Sequence, residues 1–353
     1  MNARDWVRPE IAELAAYHVA DASGLIKLDA MENPFPLPAD LQVELGQRLA
    51  QAALNRYPDP HGGGLKERLK AAFAIPAAAS VILGNGSDEL ITLICQALAR
   101  PGAKIVAAEP SFVMYKLNAV FSKLAYVGVP LKADFSLDLD AMLAAIAAEQ
   151  PAVVFLAYPN NPTGPLYQRA ELEAILAAAP GMVVVDEAYT AFASDSFMSL
   201  AGSHPKLVVM RTLSKLGLAG IRLGFAAGPA DWINELDKVR PPYNVNVLTQ
   251  AAALFALDHL AVFDQQAALL RSERSRVQLA LAALPGVTVF PSEANFLTAR
   301  VPDADKTFAA LKAAGILIKR LHGSHPLLED CLRFTIGSPA ENDAVLAALP
   351  NCL

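Results

Sequence analysis

One lysine in this chain stands where an amine would become a nucleophile. Lys215 lies in Thr212-Leu213-Ser214-Lys215-Leu216-Gly217-Leu218-Ala219-Gly220-Ile221-Arg222-Leu223-Gly224, flanked by a serine and apolar residues, with an arginine seven positions on. Apolar surroundings disfavour the ammonium form, and a neutral amine can form a Schiff base with an aldehyde. Ser214 offers a hydroxyl donor and Arg222 a bidentate guanidinium, two groups that hold a phosphate dianion. The segment is therefore suited to a ligand that carries both an aldehyde and a phosphate.

Four other segments extend that chemistry. Gly84-Asn85-Gly86-Ser87-Asp88-Glu89 reads as a glycine-rich turn opening a helix. Gly86, Ser87 and Asp88 would bring unpaired N–H groups and the positive end of a helix dipole to an anion. Tyr158-Pro159-Asn160-Asn161-Pro162-Thr163-Gly164 is a stiff loop in which Asn161 can donate to a phenolate oxygen. Val185-Asp186-Glu187-Ala188-Tyr189 ends an apolar run with an acid. A carboxylate there needs a cation, and a protonated pyridine nitrogen is one; Tyr189 can reach a phenolic oxygen beside it. Phe112, in Pro110-Ser111-Phe112, can lie flat on an aromatic ring. Pyridoxal 5'-phosphate is the ligand these groups suit together.

The elements that must position them alternate along the chain. Strands are expected at 80–83, 104–107, 124–129, 153–157, 182–185 and 207–211, with helices such as 89–99 and 170–179 between them. Uninterrupted runs such as Val153-Val154-Phe155-Leu156 and Val183-Val184-Val185 suit strands buried on both faces. The fold class is α/β, a mainly parallel sheet covered by helices with a smaller α/β domain, and ligands in such sheets sit beyond the carboxyl ends of the strands. A long, bent helical stretch over 247–284 leads into the smaller unit. There, strands are expected at 287–290, 296–300, 316–319 and 332–336, with a helix at 304–314. Ser338, Pro339 and Glu341 signal the start of the last helix.

Composition narrows the function classes. With 353 residues, 54% hydrophobic and 18% charged, the chain is long and apolar enough for a large core in two domains. The net charge of -6 and the lack of a basic run argue against a nucleic-acid partner. No apolar run reaches the roughly 18 residues of a membrane span, and the N-terminus lacks a signal-peptide core, so a cytoplasmic protein is expected. Cys95, Cys331 and Cys352 show neither disulfide nor metal-ligand spacing; no metal is expected.

These motifs, in this order, resemble those of the fold-type I aminotransferases that use pyridoxal phosphate. Within that superfamily the chain is most similar to the histidinol-phosphate aminotransferases, through Ala16-Tyr17-His18-Val19, Lys27-Leu28-Asp29-Ala30-Met31-Glu32-Asn33-Pro34, Asn55-Arg56-Tyr57-Pro58-Asp59 and Cys331-Leu332-Arg333-Phe334-Thr335-Ile336-Gly337. The resemblance implies that Lys215 carries the cofactor and that Tyr57 reaches the cofactor phosphate of a partner subunit in a homodimer. It implies that Arg333 binds the acidic end of the substrate, with Tyr17 and Asn33 lining the substrate pocket. The implied substrates are L-histidinol phosphate and 2-oxoglutarate, with glutamate as a product. Threonine-phosphate decarboxylation and aromatic amino acid transamination are the alternatives on the same scaffold. The chain departs from the family's frequent residues at Phe112, where a tyrosine often stacks, and at Met31, where an asparagine is frequent. The implied divisions are an N-terminal arm at 1–30, a large cofactor-binding domain at 31–245 and a small domain at 246–353.

Overall fold

The computed structural model describes residues 2–16 and 19–353. Its described strands are β1 (Ile26–Leu28), β2 (Ser80–Asn85), β3 (Lys104–Glu109), β4 (Ala125–Pro130), β5 (Val153–Ala157), β6 (Met182–Asp186), β7 (Leu207–Thr212), β8 (Leu223–Gly228), β9 (Thr288–Val289), β10 (Phe296–Arg300), β11 (Ile316–Arg320) and β12 (Cys331–Thr335). Seven of them form one sheet in the order β2-β8-β7-β6-β5-β3-β4. Only β8 runs against its neighbours; the other adjacent pairs are parallel. Every residue of β5, β6, β7 and β8 is buried.

The alternation of side chains along these strands builds two cores, one on each face. Val154, Leu156, Val183, Val185 and Val209 point to one face. Val153, Phe155, Met182, Val184, Val208 and Met210 point to the other. Burial on both sides explains why the strands read as continuous apolar runs rather than alternating ones. In register, Ala157 stands opposite Asp186 and Asp186 opposite Met210, so β5 and β6 end level and β7 runs on to Thr212. The chemistry-bearing loops all leave from that edge.

The remaining five strands form a second sheet in the order β1-β11-β12-β10-β9, with its own core around Leu28, Phe296, Ile318, Leu332 and Phe334. β1 pairs parallel with β11, so the chain passes from this sheet directly into residues 29–33 beside the large sheet. Two helices lead into the second sheet, Val247–Asp258 and Leu260–Ala282, and they meet at 76°. Ser338 caps Pro339–Ala348 with the reciprocal Glu341 bond expected of a capping box. No single helix among the described residues is long and apolar enough to cross a membrane.

Candidate active site

A cavity opens at the carboxyl edge of the large sheet. Its lining includes nine of the sequence-predicted residues: Ser87, Asp88, Phe112, Asn161, Asp186, Tyr189, Ser214, Lys215 and Arg222. They come from five separate segments, and the strand ends bring them together.

One end of the cavity is built for an anion. The helix Ser87–Leu98 begins there, with Gly86 at its cap in a positive-φ conformation (82°). A side chain at Gly86 would place its Cβ 2.5 Å from Arg222 Nη2, so glycine is what lets the guanidinium lie over the turn. Gly224 on β8 serves the same closeness from below, since a Cβ there would meet the Ser87 nitrogen at 2.6 Å. Arg222 donates to Ser214 Oγ at 3.4 Å and faces the Asp88 carboxylate at 3.5 Å. Thr212, at the end of β7, fixes this serine by accepting the Ser214 N–H at 3.2 Å.

The other end is buried and acidic. Asp186 closes β6 with 5% of its surface exposed. Its Oδ2 accepts the Tyr115 hydroxyl at 2.7 Å and its Oδ1 the Ala188 N–H at 3.1 Å. Burial pushes its pKa up to about 7, against those two donors, and the nearby Asp88 and Glu187 charges add to the rise. Phe112 lies on the same wall, edge-on to Tyr115 at 5.7 Å.

Lys215 lines the same cavity. Its Nζ donates to the Ala30 carbonyl at 3.0 Å and lies 5.9 Å from the centre of the Tyr189 ring. Burial, reinforced by the Arg333 charge, lowers its pKa to about 8. The Tyr189 hydroxyl donates to Met31 Sδ at 3.1 Å. Met31 itself holds a left-handed backbone (φ 53°), where asparagine is better tolerated than methionine. Thr335 Oγ1 and Asn295 Nδ2 clamp its N–H and carbonyl at 3.1 and 3.0 Å.

The two asparagines of the proline loop divide their work. Asn160 is fully buried and ties its own loop to the next, donating to the Pro110 carbonyl and Thr163 Oγ1 and accepting the Ser111 hydroxyl. Asn161 lines the cavity, and its Oδ1 accepts Arg333 Nη1 at 2.5 Å. A guanidinium can only donate, so the amide oxygen must face Arg333 and the NH₂ group is left to face elsewhere. Arg333, on β12, also donates to the Asp29 carbonyl at 2.8 Å.

Asn33 and Tyr57 lie outside the cavity lining. Asn33 holds the Leu216 carbonyl at 3.1 Å and Gln266 Oε1 at 2.9 Å, fixing the backbone next to Lys215. Tyr57 is 79% exposed and stacks on Tyr243 at 4.4 Å, away from this chain's own cavity. Tyr17 falls outside the described residues.

Three contributors have no role assigned to them from the sequence. Thr212 and Met31 line the cavity, and Tyr115 supports it from behind. The signal for Tyr115 is its spacing: three residues after Phe112, it shares a helix face with the residue that opens Val113–Phe121. Its partner, however, lies 71 positions further along the chain.

A desolvated lysine, a buried acid and an anion cradle at the strand ends of this sheet define the site of an amine-handling enzyme, and the chain belongs to the family of class I and II aminotransferases, whose model matches residues 23–349. Among its relatives, it is 71% identical over 349 residues to the histidinol-phosphate aminotransferase of Chromobacterium violaceum, covering 99% of this chain and 98% of that one. It is 58% identical over 347 residues to histidinol-phosphate aminotransferase 2 of Cupriavidus pinatubonensis, covering 97% and 95%. A similar solved structure is the histidinol-phosphate aminotransferase from Sinorhizobium meliloti in complex with pyridoxal-5'-phosphate. That match has a TM-score of 0.86 at 25% identity and covers 98% of this chain and 97% of that one.

Proposed function

We propose that this protein transfers the amino group of L-histidinol phosphate to 2-oxoglutarate, yielding imidazole acetol phosphate and glutamate, with pyridoxal 5'-phosphate as cofactor. The observation that carries the reading is the Lys215 amine sharing one cavity with a buried carboxylate and an anion cradle. The substrate follows from the names of relatives 71% and 58% identical along nearly the whole chain.

The residues present fit that cofactor. Asp186 receives two neutral donors, and no ion pair to it appears among the described residues, so the protonated ring nitrogen would supply the cation its burial calls for. Ser87, Ser214 and Arg222 would hold the phosphate, with Gly86 and the Asp88 N–H completing the helix terminus. Asn161 and Tyr189 would donate to the phenolic oxygen, and Phe112 would cover the ring. When bound, the cofactor supplies an aldehyde that takes up the substrate amine and a ring that accepts the electron pair freed at the substrate carbon.

The chain's own residues perform the rest. Lys215, neutral once its proton is lost near pH 8, would hold the cofactor through its amine and, once released, would move a proton at the substrate carbon. Asp186, as an anion, would keep the ring nitrogen protonated. Arg333 offers a planar fork that accepts the phosphate of one substrate or the carboxylate of the other, which is how one site serves two acids. Tyr17 and Asn33 are assigned to the substrate side, Asn33 by fixing the backbone at Leu216.

We read the protein as a cytoplasmic homodimer. Tyr57, Leu54 and Val43 are exposed apolar residues, and no residue of the helix Ala39–Ala50 is buried. A second copy covering this face would bring Tyr57 to the partner's phosphate cradle. Residues 31–245 are assigned as the cofactor-holding domain, and 246–353, with the arm 1–30, as the smaller one.

The test supplies L-histidinol phosphate and 2-oxoglutarate together and follows glutamate. Glutamate formed mole for mole with amine consumed is the expected result. Carbon dioxide released from threonine phosphate, with no glutamate formed, would move the protein to the decarboxylase reading.

A further inference from the structure

Behind the acid that this reading assigns to the ring nitrogen stands a residue without a role so far. Tyr115 is fully buried on the helix Val113–Phe121, and its hydroxyl donates to Asp186 Oδ2 at 2.7 Å. Its ring is stacked on Phe155 of β5 at 4.7 Å and meets the edge of Phe112 at 5.7 Å, so the hydroxyl has little freedom to turn elsewhere. We propose that Tyr115 is a positioning residue for the cofactor's ring nitrogen: its hydroxyl fixes the Asp186 side chain toward the cavity and favours its ionised form. This rests on the assignment of Asp186 to that nitrogen.

The argument is one of competition at a buried carboxylate. Burial favours the neutral acid, and the titratable groups acting on Asp186 include Asp88, Glu187, Tyr189 and Tyr115 itself. The first two are acids that push the same way as burial. Among the described residues only Tyr115 and the Ala188 N–H donate to the carboxylate, and a hydrogen bond to a charged group is among the stronger ones. Burial and the neighbouring acid hold the Tyr115 hydroxyl protonated, so it stays a donor. A phenylalanine at 115 keeps the stacking and removes one of the two donors.

The test measures dissociation constants, in the cofactor-free chain, for pyridoxal phosphate and for an analogue with carbon in place of the ring nitrogen. The wild type is expected to prefer pyridoxal phosphate by about tenfold or more, the scale of one charge-assisted contact. In Tyr115→Phe the preference should narrow to within about threefold. Asp186→Asn should narrow it likewise, and adding Tyr115→Phe to that variant should change nothing further. A wild type with no preference overturns the role of Asp186 and this proposal with it. A preference retained in full by Tyr115→Phe overturns the proposal alone. If Tyr115→Phe does not fold, 3-fluorotyrosine at position 115, a stronger donor of nearly the same shape, should widen the wild-type preference, and no change would contradict the proposal.

Discussion

Two acids stand side by side at the end of β6, and they are handled in opposite ways. Glu187 is fully buried and closed: Arg211 donates to its Oε2 through Nε and Nη2 at 2.9 and 2.8 Å, and the Phe197 N–H to its Oε1 at 2.6 Å. The Ser196 hydroxyl adds a further contact. Asp186, one residue earlier, has only two neutral donors among the described residues and opens onto the cavity. Alternation along a strand puts the two on opposite sides, one toward packing and one toward the site. A buried carboxylate that meets its cation inside the protein is part of the scaffold. One that lacks it is an invitation to a cationic ligand.

Four changes would break or sharpen that contrast. The largest effect belongs to the open side: Lys215→Ala should cut turnover by at least about a thousandfold, since both nucleophile and proton carrier are lost. Circular dichroism should show an intact fold, and turnover near the wild-type rate would contradict the assignment. On the closed side, Glu187→Ala strands the Arg211 guanidinium and should destabilise the protein by about 3 to 5 kcal/mol, read as a clear fall in melting temperature. An unchanged melting temperature would mean that the pair is not part of the scaffold.

Asp186→Asn should do the reverse. The folded-state pKa of Asp186 is raised, so the folded chain holds its proton where the unfolded chain has already released it. The carboxyl therefore lowers stability increasingly as pH rises from about 4 to about 7, and the penalty is constant above that. The asparagine variant of the cofactor-free protein should melt higher than wild type at pH 8 and nearly together with it at pH 4, while its turnover falls about a hundredfold. A variant that melts lower at pH 8 would show that Asp186 is as closed as Glu187. The smallest effect concerns Lys215, whose pKa is lowered to about 8. Its modification by an amine-directed reagent in the cofactor-free chain should speed up with pH, reach half its maximum near pH 8 and level off about one unit above that. A rate still climbing beyond pH 10 would mean that the amine is not desolvated.

Much of this architecture is legible in the residues alone, for physical reasons. β5 and β10 occupy 153–157 and 296–300 as expected, because apolar, β-branched runs bounded by prolines, glycines or polar turns leave little choice. The capping box at Ser338 is a local motif and forms as read. β8 is different: Leu223-Gly224-Phe225-Ala226-Ala227-Gly228 has no β-branched residue, and no strand is expected there from the sequence. Its glycine is needed for contact with the turn at 86–87, a requirement only the fold reveals. β1 is three residues long and owes its existence to pairing with β11, nearly 300 positions away.

The site divides in the same way. Lys215, Ser214, Arg222 and Asp186 are readable because each sits in a short segment whose chemistry is self-contained. Tyr115, Thr212 and Met31 matter through what they touch, and those contacts exist only after folding. Asn160 and Asn161 are adjacent and chemically identical, so only their burial and partners tell the tie between two loops from the cavity amide.

The most direct measurement of the proposed chemistry uses one substrate and one turnover. The absorbance spectrum of the cofactor-loaded protein is recorded before and after adding L-histidinol phosphate alone, with no oxo acid present. The expected result is loss of the band of the lysine-bound cofactor and a matching rise of the aminated cofactor, restored by 2-oxoglutarate. A protein that binds the cofactor through Lys215 yet leaves the spectrum unchanged would contradict the assigned substrate. One that never develops the lysine-bound band, even with excess cofactor, would contradict the reading of the site itself.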